Sequence, residues 1–393
     1  MGLVTLLGCT APQAEQPTEA LREPPATSGP APAPAPAPTP GPAPTPGPAP
    51  PRSFSLVATG DVLLHPPLWE QARRDGRGSA LDLSPVLAGV RPLVAAADLA
   101  ICHLETPLAP AGGPYRGYPQ FAVPPEIVPA LVQTGSDACT TASNHTFDQG
   151  AAGIDRTLRA LDEAGLAHAG TARSAQEAER VRLLTVATTG GPVRVALLSY
   201  TSGSHGIAAP GGQAWRGRLL DETQVLRDAA AARRQGAEVT VVALHWGEEH
   251  VQEPTAEQQA LAPRLLASPH VDLLIGHHAR VVQPVEQIAG KWVAYGLGNL
   301  VAAHATPGAA LREGLLASFR FSEQPDGRFL VDEAGYAPLL MTDTPPLRVL
   351  DVARSARAAG TDASAQRLDR AWARTTRVVE SRGGGLAPLS AAP

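Results

Sequence analysis

Apolar positions along the chain follow two rhythms, short near-continuous runs and longer stretches in which they recur every three or four residues. The runs Phe54–Thr59, Leu99–Cys102, Ala138–Thr141, Glu238–Leu244 and Val271–Ile275 predict strands, each flanked by turn-forming residues. The helical spacing falls over Leu83–Ala97, Pro125–Gln133, Gly150–Ala164, Asp221–Gln235 and Pro254–Ala267. Strand and helix alternate as in βαβ units. Three hairpins add antiparallel strands. Val181–Ala187 meets Val193–Ser199 across Gly190-Gly191-Pro192, Val281–Ile288 meets Trp292–Leu297 across Ala289-Gly290, and Leu315–Phe321 meets Phe329–Tyr336. The expected fold is α/β, with mixed sheets layered between helices. Beyond Leu350 the chain reads as helical, then as a Gly/Ala/Pro-rich tail that frays from Gly383.

The polar residues matter most where the apolar runs stop. Asp61, Glu105, Asn144-His145, His245 and His277-His278 each follow such a run, and in an open α/β sheet the ligand crevice lies beyond the carboxyl ends of the strands. Taken singly, each has a plain structural explanation. Asp61 and Asp148 suit helix caps, the latter for the helix from Gly150, and Glu105 suits an exposed surface. His103 shares a face with Glu105 in an extended chain, and the adjacent His277 and His278 point to opposite sides, so one of the two faces a metal. Separate strand ends all offering oxygen or imidazole donors point to a metal-dependent hydrolytic site.

Composition narrows the partners. The formal net charge is −5 with 18% charged residues, and no basic block precedes an aromatic platform, which argues against nucleic acid. The spread of candidate ligands from Asp61 to His278 keeps residues 52–350 in one domain, with 351–393 as a helical segment and disordered tail. Met1–Cys9 resembles the end of a bacterial lipoprotein signal, with Leu6-Leu7-Gly8 before a cysteine to be lipidated and a basic start missing, so residues 1–23 read as a signal remnant and N-terminal segment, an ordinary cysteine being the alternative. Residues 24–51 are a Pro/Ala-rich linker of polyproline II type, a spacer for an exported domain anchored by lipid at the outer face of the bacterial cell membrane. Cys102 and Cys139 read as small buried core residues, with a disulfide between neighbouring strands as the alternative.

The ordered set Gly60-Asp61, Leu104-Glu105, Asn144-His145-x-x-Asp148-x-Gly150, His245-Trp246-Gly247 and Gly276-x-His278-x-x-Val281-x-Gln283-Pro284 resembles the CapA family of bacterial capsule-synthesis proteins, associated with poly-γ-glutamate. Ser199–Gly206 and Tyr295–Asn299 match further stretches of that family. The resemblance implies a metallo-dependent phosphatase-like fold, an α/β/β/α sandwich holding one or two divalent ions, with Mn, Zn or Fe suited to a mixed oxygen and imidazole set. It implies Asp61, Glu105, Asn144, His245 and His278 as metal ligands, Glu105 as the bridge of a pair, and His145 as the proton donor to a leaving group. The implied substrate is an anionic surface polymer or a phosphoester, cleaved at a phosphoester or γ-glutamyl amide; the alternative is a non-catalytic envelope protein that guides such a polymer.

Two departures bear on the metal count. Asp61 is followed by Val62-Leu63, with the first histidine delayed to His65, and the last motif ends on Arg280 where the family carries a second histidine. Arginine has no lone pair to give, so Arg280 is expected to clamp a substrate anion in place of one cation, with His103 and His277 as further candidate ligands.

Overall fold

The computed structural model describes Gly29 and residues 50–390, apart from 78–79, 306–307 and 360–362. Cys9 and nearly all of the Pro/Ala-rich linker lie outside the described residues.

Four strands come first, β1 (Ser53–Val62), β2 (Leu99–Leu104), β3 (Ala138–Thr140) and β4 (Ala167–Ala169), each parallel to the next. The following six, β5 (Arg182–Val186), β6 (Val193–Thr201), β7 (Val239–His245), β8 (Leu273–His277), β9 (Val285–Ile288) and β10 (Lys291–Ala294), make a second sheet in the order β5-β6-β7-β8-β10-β9. The chain then returns to the first sheet. There β11 (Asn299–Val301), β12 (Glu313–Glu323), β13 (Phe329–Met341), β14 (Val349–Asp351) and β15 (Ala387–Pro388) complete the path β14-β13-β12-β1-β2-β3-β4, with β11 on β1 and β15 on β13. All three expected hairpins form as antiparallel pairs, β5 with β6, β9 with β10 and β12 with β13.

The two sheets pack face to face. Because side chains alternate across a strand, one parity of each strand enters the layer between the sheets and the other meets helices outside. Leu56 and Ala58 of β1, Leu99 and Ile101 of β2, Val239 and Val241 of β7, and Leu273 and Ile275 of β8 share that inner layer. Val57, Ala100 and Cys102 face the helices Pro66–Asp75, Ile127–Thr134 and Gly150–Glu163. Val242, Leu244 and Leu274 face Glu222–Arg234 and Ala256–Leu266 on the opposite side. This is the expected α/β/β/α sandwich. Side chains cap helix starts that flank the second sheet, Asp221 accepting from Gln224 N and Thr255 forming a capping box with Gln258. Among the described residues no helix is long and apolar enough to cross a membrane.

Three expectations change. The single helix over Leu83–Ala97 is two short ones, Ser84–Leu87 and Arg91–Val94. Between them Gly89 is pressed against β14, where a Cβ would lie 2.2 Å from the Val349 carbonyl oxygen, and Pro92 takes a first-turn position where its missing N–H costs nothing. The tail from Gly383 does not fray through its described length, because Leu386 is buried and Ala387–Pro388 pair in parallel with Gly335–Tyr336. Cys102 and Cys139, register partners on β2 and β3, form a disulfide.

Candidate metal centre

The inner-face rows of both sheets run directly into the centre. Leu99 and Ile101 are followed at the same parity by His103, Val239, Val241 and Ala243 by His245, and Leu273 and Ile275 by His277. Period two places these imidazoles between the sheets at the carboxyl ends of the strands. Asp61 does not follow the rule unaided. Between Ala58 and Asp61 the β1–β2 register slips, Ala58 pairing with Ile101 and Asp61 with His103, and this bulge turns the carboxylate inward. Gly60 makes the slip possible, since a Cβ there would lie 2.2 Å from the Gly298 carbonyl oxygen.

Most contacts that define the centre cross from one sheet to the other. His277 Nδ1 hydrogen-bonds to Asp61 Oδ1 at 2.9 Å, and the His278 backbone N–H donates to Asp61 Oδ2 at 3.1 Å. His103 Nε2 lies 3.0 Å from His245 Nδ1, and Thr140 Oγ1 fixes the other side of His103 at 2.8 Å from Nδ1. His245 Nε2 lies 2.9 Å from Asn144 Oδ1 and 4.0 Å from Glu105 Oε1. The five expected ligands Asp61, Glu105, Asn144, His245 and His278 therefore converge, with His103 and His277 beside them. The expectation that only one of the adjacent histidines reaches the centre is corrected. His277 points inward from β8, while His278, at φ +89° past the strand end, swings its ring to 4.7 Å from that of His245.

His245 divides the centre into two faces. On its Nδ1 side, Asp61, His103 and His245 offer ligand atoms all within 4.8 Å of one another. On its Nε2 side lie Asn144 Oδ1 and Glu105 Oε1, and both Glu105 Oε1 and His278 Nδ1 are buried without a hydrogen-bond partner. A buried carboxylate oxygen left unpaired is costly, and a bound cation would satisfy it. The protonation states fit this. Burial, then neighbouring positive groups, push His103 and His245 well below the usual imidazole range, and His278 down to about 4. Their lone pairs are free to coordinate. Burial by itself would raise Asp61, but the His277 hydrogen bond and nearby positive charge bring its carboxyl down to about 2. Burial pushes Glu105 upward against the pull of Arg280.

Arg280 occupies the floor of the centre. Its guanidinium is 3% exposed, donates to Glu105 Oε2 through Nη1, lies 3.8 Å from Asp61 Oδ2, and reaches Glu249 Oε1 at 3.2 Å through Nη2. The expected substrate clamp is thus first a clamp on the protein's own carboxylates. Arg280 also lines a cleft of about 300 Å³, together with His145, Tyr118, Phe121, His65 and His304. Three carboxylates, Asp61, Glu105 and Glu249, face one guanidinium here, leaving a deficit equal to one divalent cation.

His145 sits between this cleft and the ligands. The turn that carries it is tied down by Ser143, whose hydroxyl donates to the Glu105 carbonyl at 2.6 Å and accepts from the His145 backbone N–H at 3.0 Å. Asp148 is not a helix cap. The helix from Gly150 has Gln149 at its N-cap with no side-chain bond, while Asp148 Oδ2 lies 2.8 Å from His145 Nδ1 and accepts the Phe121 N–H at 2.7 Å. That fixes the ring with Nε2 3.9 Å from Glu105 Oε1.

Sequence reasoning missed Glu249 and Thr140, and it gave no role to His205 or Asn299. His205 Nε2 accepts from Asn144 Nδ2 at 2.6 Å, which aims the amide oxygen at His245, and Asn299 Nδ2 donates to the Arg280 carbonyl at 3.0 Å. The Ser199–Gly206 and Tyr295–Asn299 stretches contain both residues, so the signal was present without its geometry.

The chain is similar to several known proteins. Capsule biosynthesis protein CapA of Bacillus anthracis is 30% identical over 181 residues, 45% of this chain and 42% of that one. A probable polyglutamine synthesis accessory protein of Mycobacterium tuberculosis is 29% identical over 220 residues, 52% of this chain and 56% of that one. The chain spans about half the length of the curated relatives it matches. Among solved structures, a calcineurin-like phosphoesterase, YfkN from Bacillus subtilis, aligns at a TM-score of 0.45 with 15% identity, over 84% of this chain and 98% of that one. The family described as Bacterial capsule synthesis protein PGA_cap matches residues 55–304, a stretch that takes in every strand end converging on the centre, and this chain belongs to that family.

Proposed function

We propose that this chain is a metal-dependent hydrolase of the bacterial envelope that acts on an anionic surface polymer, at a phosphoester or γ-glutamyl amide, with one divalent cation beside the fixed charge of Arg280. The observation that carries the reading is the unpartnered Glu105 Oε1, buried within 4.0 Å of His245 Nε2 and 3.9 Å of His145 Nε2 while Arg280 holds the other carboxylate oxygen. Asn144, His245, His278 and Glu105 would hold the cation on that face, with Asp61 and His103 available across His245. Mn, Zn or Fe suits the donors. A cation bound there supplies Lewis-acid polarisation of a phosphoryl or carbonyl oxygen and lowers the pKa of a water.

The remaining work falls to the chain itself. His145, held through Nδ1 by Asp148 and with Nε2 3.9 Å from Glu105 Oε1, lines the cleft and there would protonate a leaving oxygen or nitrogen. Arg280, which lines the cleft, orients a substrate oxyanion and pulls against the upward push of burial on Glu105. Phe121 and Tyr118 wall the cleft and limit water. The competing reading, a protein that holds an anionic polymer without turnover, draws on the same guanidinium, since Arg280 already neutralises part of the ligand set. The relatives named for capsule or polyglutamine synthesis support a polymer substrate.

Export is part of the proposal. A lipid on Cys9, ahead of the Pro/Ala-rich stretch from Pro24 to Pro51, would hold the domain at the outer face of the cell membrane. The Cys102–Cys139 disulfide supports an oxidising compartment. Incorporation of labelled palmitate into the wild type and its loss in Cys9→Ala is the expected result; equal labelling removes the anchor.

Elemental analysis of the purified chain should find one metal per chain, rising toward two in Arg280→His. Metal-dependent cleavage of p-nitrophenyl phosphate or poly-γ-glutamate should vanish in His145→Ala with the metal retained. A metal-free protein that binds polymer and cleaves nothing would leave the binding reading in place. Unchanged stoichiometry in Arg280→His removes the one-cation assignment.

A further inference from the structure

A second cavity, of about 420 Å³, lies where the helix Ala363–Val379 crosses the ends of β12 and β13. Arg312, Arg367, Arg370 and Arg374 line it, against Glu313 and Asp343, so positive charge prevails by two in a chain whose formal net charge is −5. The arginines are ordered by the helix. Leu368 and Ala371 are buried against Leu340, Val352 and Ala356, and that seating turns 367, 370 and 374 to one common side, spread over about 10 Å of helix. Arg367 Nη1 holds Asp343 at 2.7 Å and Arg374 Nε holds Glu313 at 2.9 Å, so both already grip carboxylates. Arg370 is exposed and has no side-chain hydrogen bond or ion pair among the described residues.

The groove is tethered to the cleft over the metal centre. His304 and Ala305 line the cleft, Gly308 and Ala309 line the groove, and the three peptide units from Ala305 to Gly308 span at most about 11 Å. We propose that the arginine groove is an exosite for the same polymer whose bond lies in the cleft, and that it binds a chain of regularly spaced carboxylates with Arg370 as the open contact. This rests on the reading of the chain as acting on an anionic polymer. Carboxylates are favoured over phosphates because two of the groove's arginines are already arranged around carboxylate partners. An occupant held at both places gains from linkage, since the second contact becomes intramolecular. Long chains should therefore bind better than short ones, and the advantage should fall with salt.

Fluorescence anisotropy of the full chain with labelled poly-γ-glutamate, a γ-glutamyl dipeptide and a polyphosphate of matched length tests this. Arg370→Glu should weaken the long polyglutamate about tenfold at low salt and leave the dipeptide unchanged. Arg370→Gln should fall between. The charge-matched control Arg328→Glu, on an exposed side chain in the β12–β13 turn, should shift affinity less than twofold. Equal effects of Arg370→Glu and Arg328→Glu overturn the exosite, as does polyphosphate that binds as tightly with the same dependence on Arg370. A wild type that binds no chain also overturns it, while metal content and p-nitrophenyl phosphate cleavage separately decide the hydrolase reading. Unchanged thermal melting of the variants confirms that the groove alone was altered.

Discussion

The two sheets bring different chemistry to one centre and hold it differently. The first sheet supplies the oxygen donors Asp61, Glu105 and Asn144 and one imidazole, His103, from a bulge in β1, from β2 and from the turns beyond β2 and β3, two strands tied by a disulfide. The second supplies nitrogen, His245 and His277 from unbroken strand rows, then His278 and Arg280 at φ +89° and +62° just beyond. Its supports are hydrogen bonds. Trp246 Nε1 donates to the Tyr295 carbonyl at 3.0 Å, and Gln283 accepts from Gln258 and donates to the Val251 carbonyl. A centre divided in this way exists only when the sheets pack, and neither sheet has a complete ligand set.

The contact that most directly joins the two halves is the buried pair of Arg280 with Glu105, so Arg280→Met should give the largest effect. Breaking such a pair leaves a carboxylate stranded, and urea unfolding should show a loss of about 3–5 kcal/mol. Added Mn or Zn should restore part of it. A loss below about 1 kcal/mol would mean that the sheets do not depend on this charge.

Next comes the covalent tie of the first sheet. Reducing Cys102–Cys139, or replacing both by alanine, should lower stability by about 2–4 kcal/mol, because the bond closes a loop of 37 residues in the unfolded chain. The drop should be accompanied by weaker metal binding, since β2 and β3 carry His103 and the Asn144 turn. Unaltered metal affinity after reduction would show that the bond serves stability alone.

Asp148→Asn tests whether the first sheet also controls proton transfer. The amide can still hold the His145 ring, but without negative charge, and turnover should fall about a hundredfold with metal content unchanged. Parallel loss of metal would place Asp148 in the ligand scaffold instead.

The smallest effect is expected from the hydrogen-bonded support of the second sheet. Gln283→Ala leaves the Val251 carbonyl and the Gln258 amide without their partner, at a cost of about 2 kcal/mol by thermal or urea unfolding. If that cost exceeds the cost of losing the disulfide, the contrast between a covalent and a hydrogen-bonded sheet is the wrong one.

Much of this was legible in the residues. The strand runs, all three hairpins and the convergence of polar strand ends follow from periodicity, because a side chain's face is fixed by counting along an extended backbone. Period two says only that His277 and His278 point to opposite sides; that both rings reach the centre comes from the φ of +89° at His278 past the strand end. Where the count is interrupted the sequence misleads. The slip in β1 that turns Asp61 inward depends on how close Gly60 comes to Gly298, more than two hundred residues on. The break at Gly89 depends on β14 in the same way.

The sequence by itself determined the layers, the parity of each row and the kinds of donor at each strand end, since these are local properties of a chain with fixed geometry. Only the tertiary structure decided which donors converge at the centre and that Arg280 is held by Glu105 and Glu249. Those outcomes rest on distances between residues far apart in sequence. Such distances are set by how two twisted sheets dock, and no local periodicity encodes that docking.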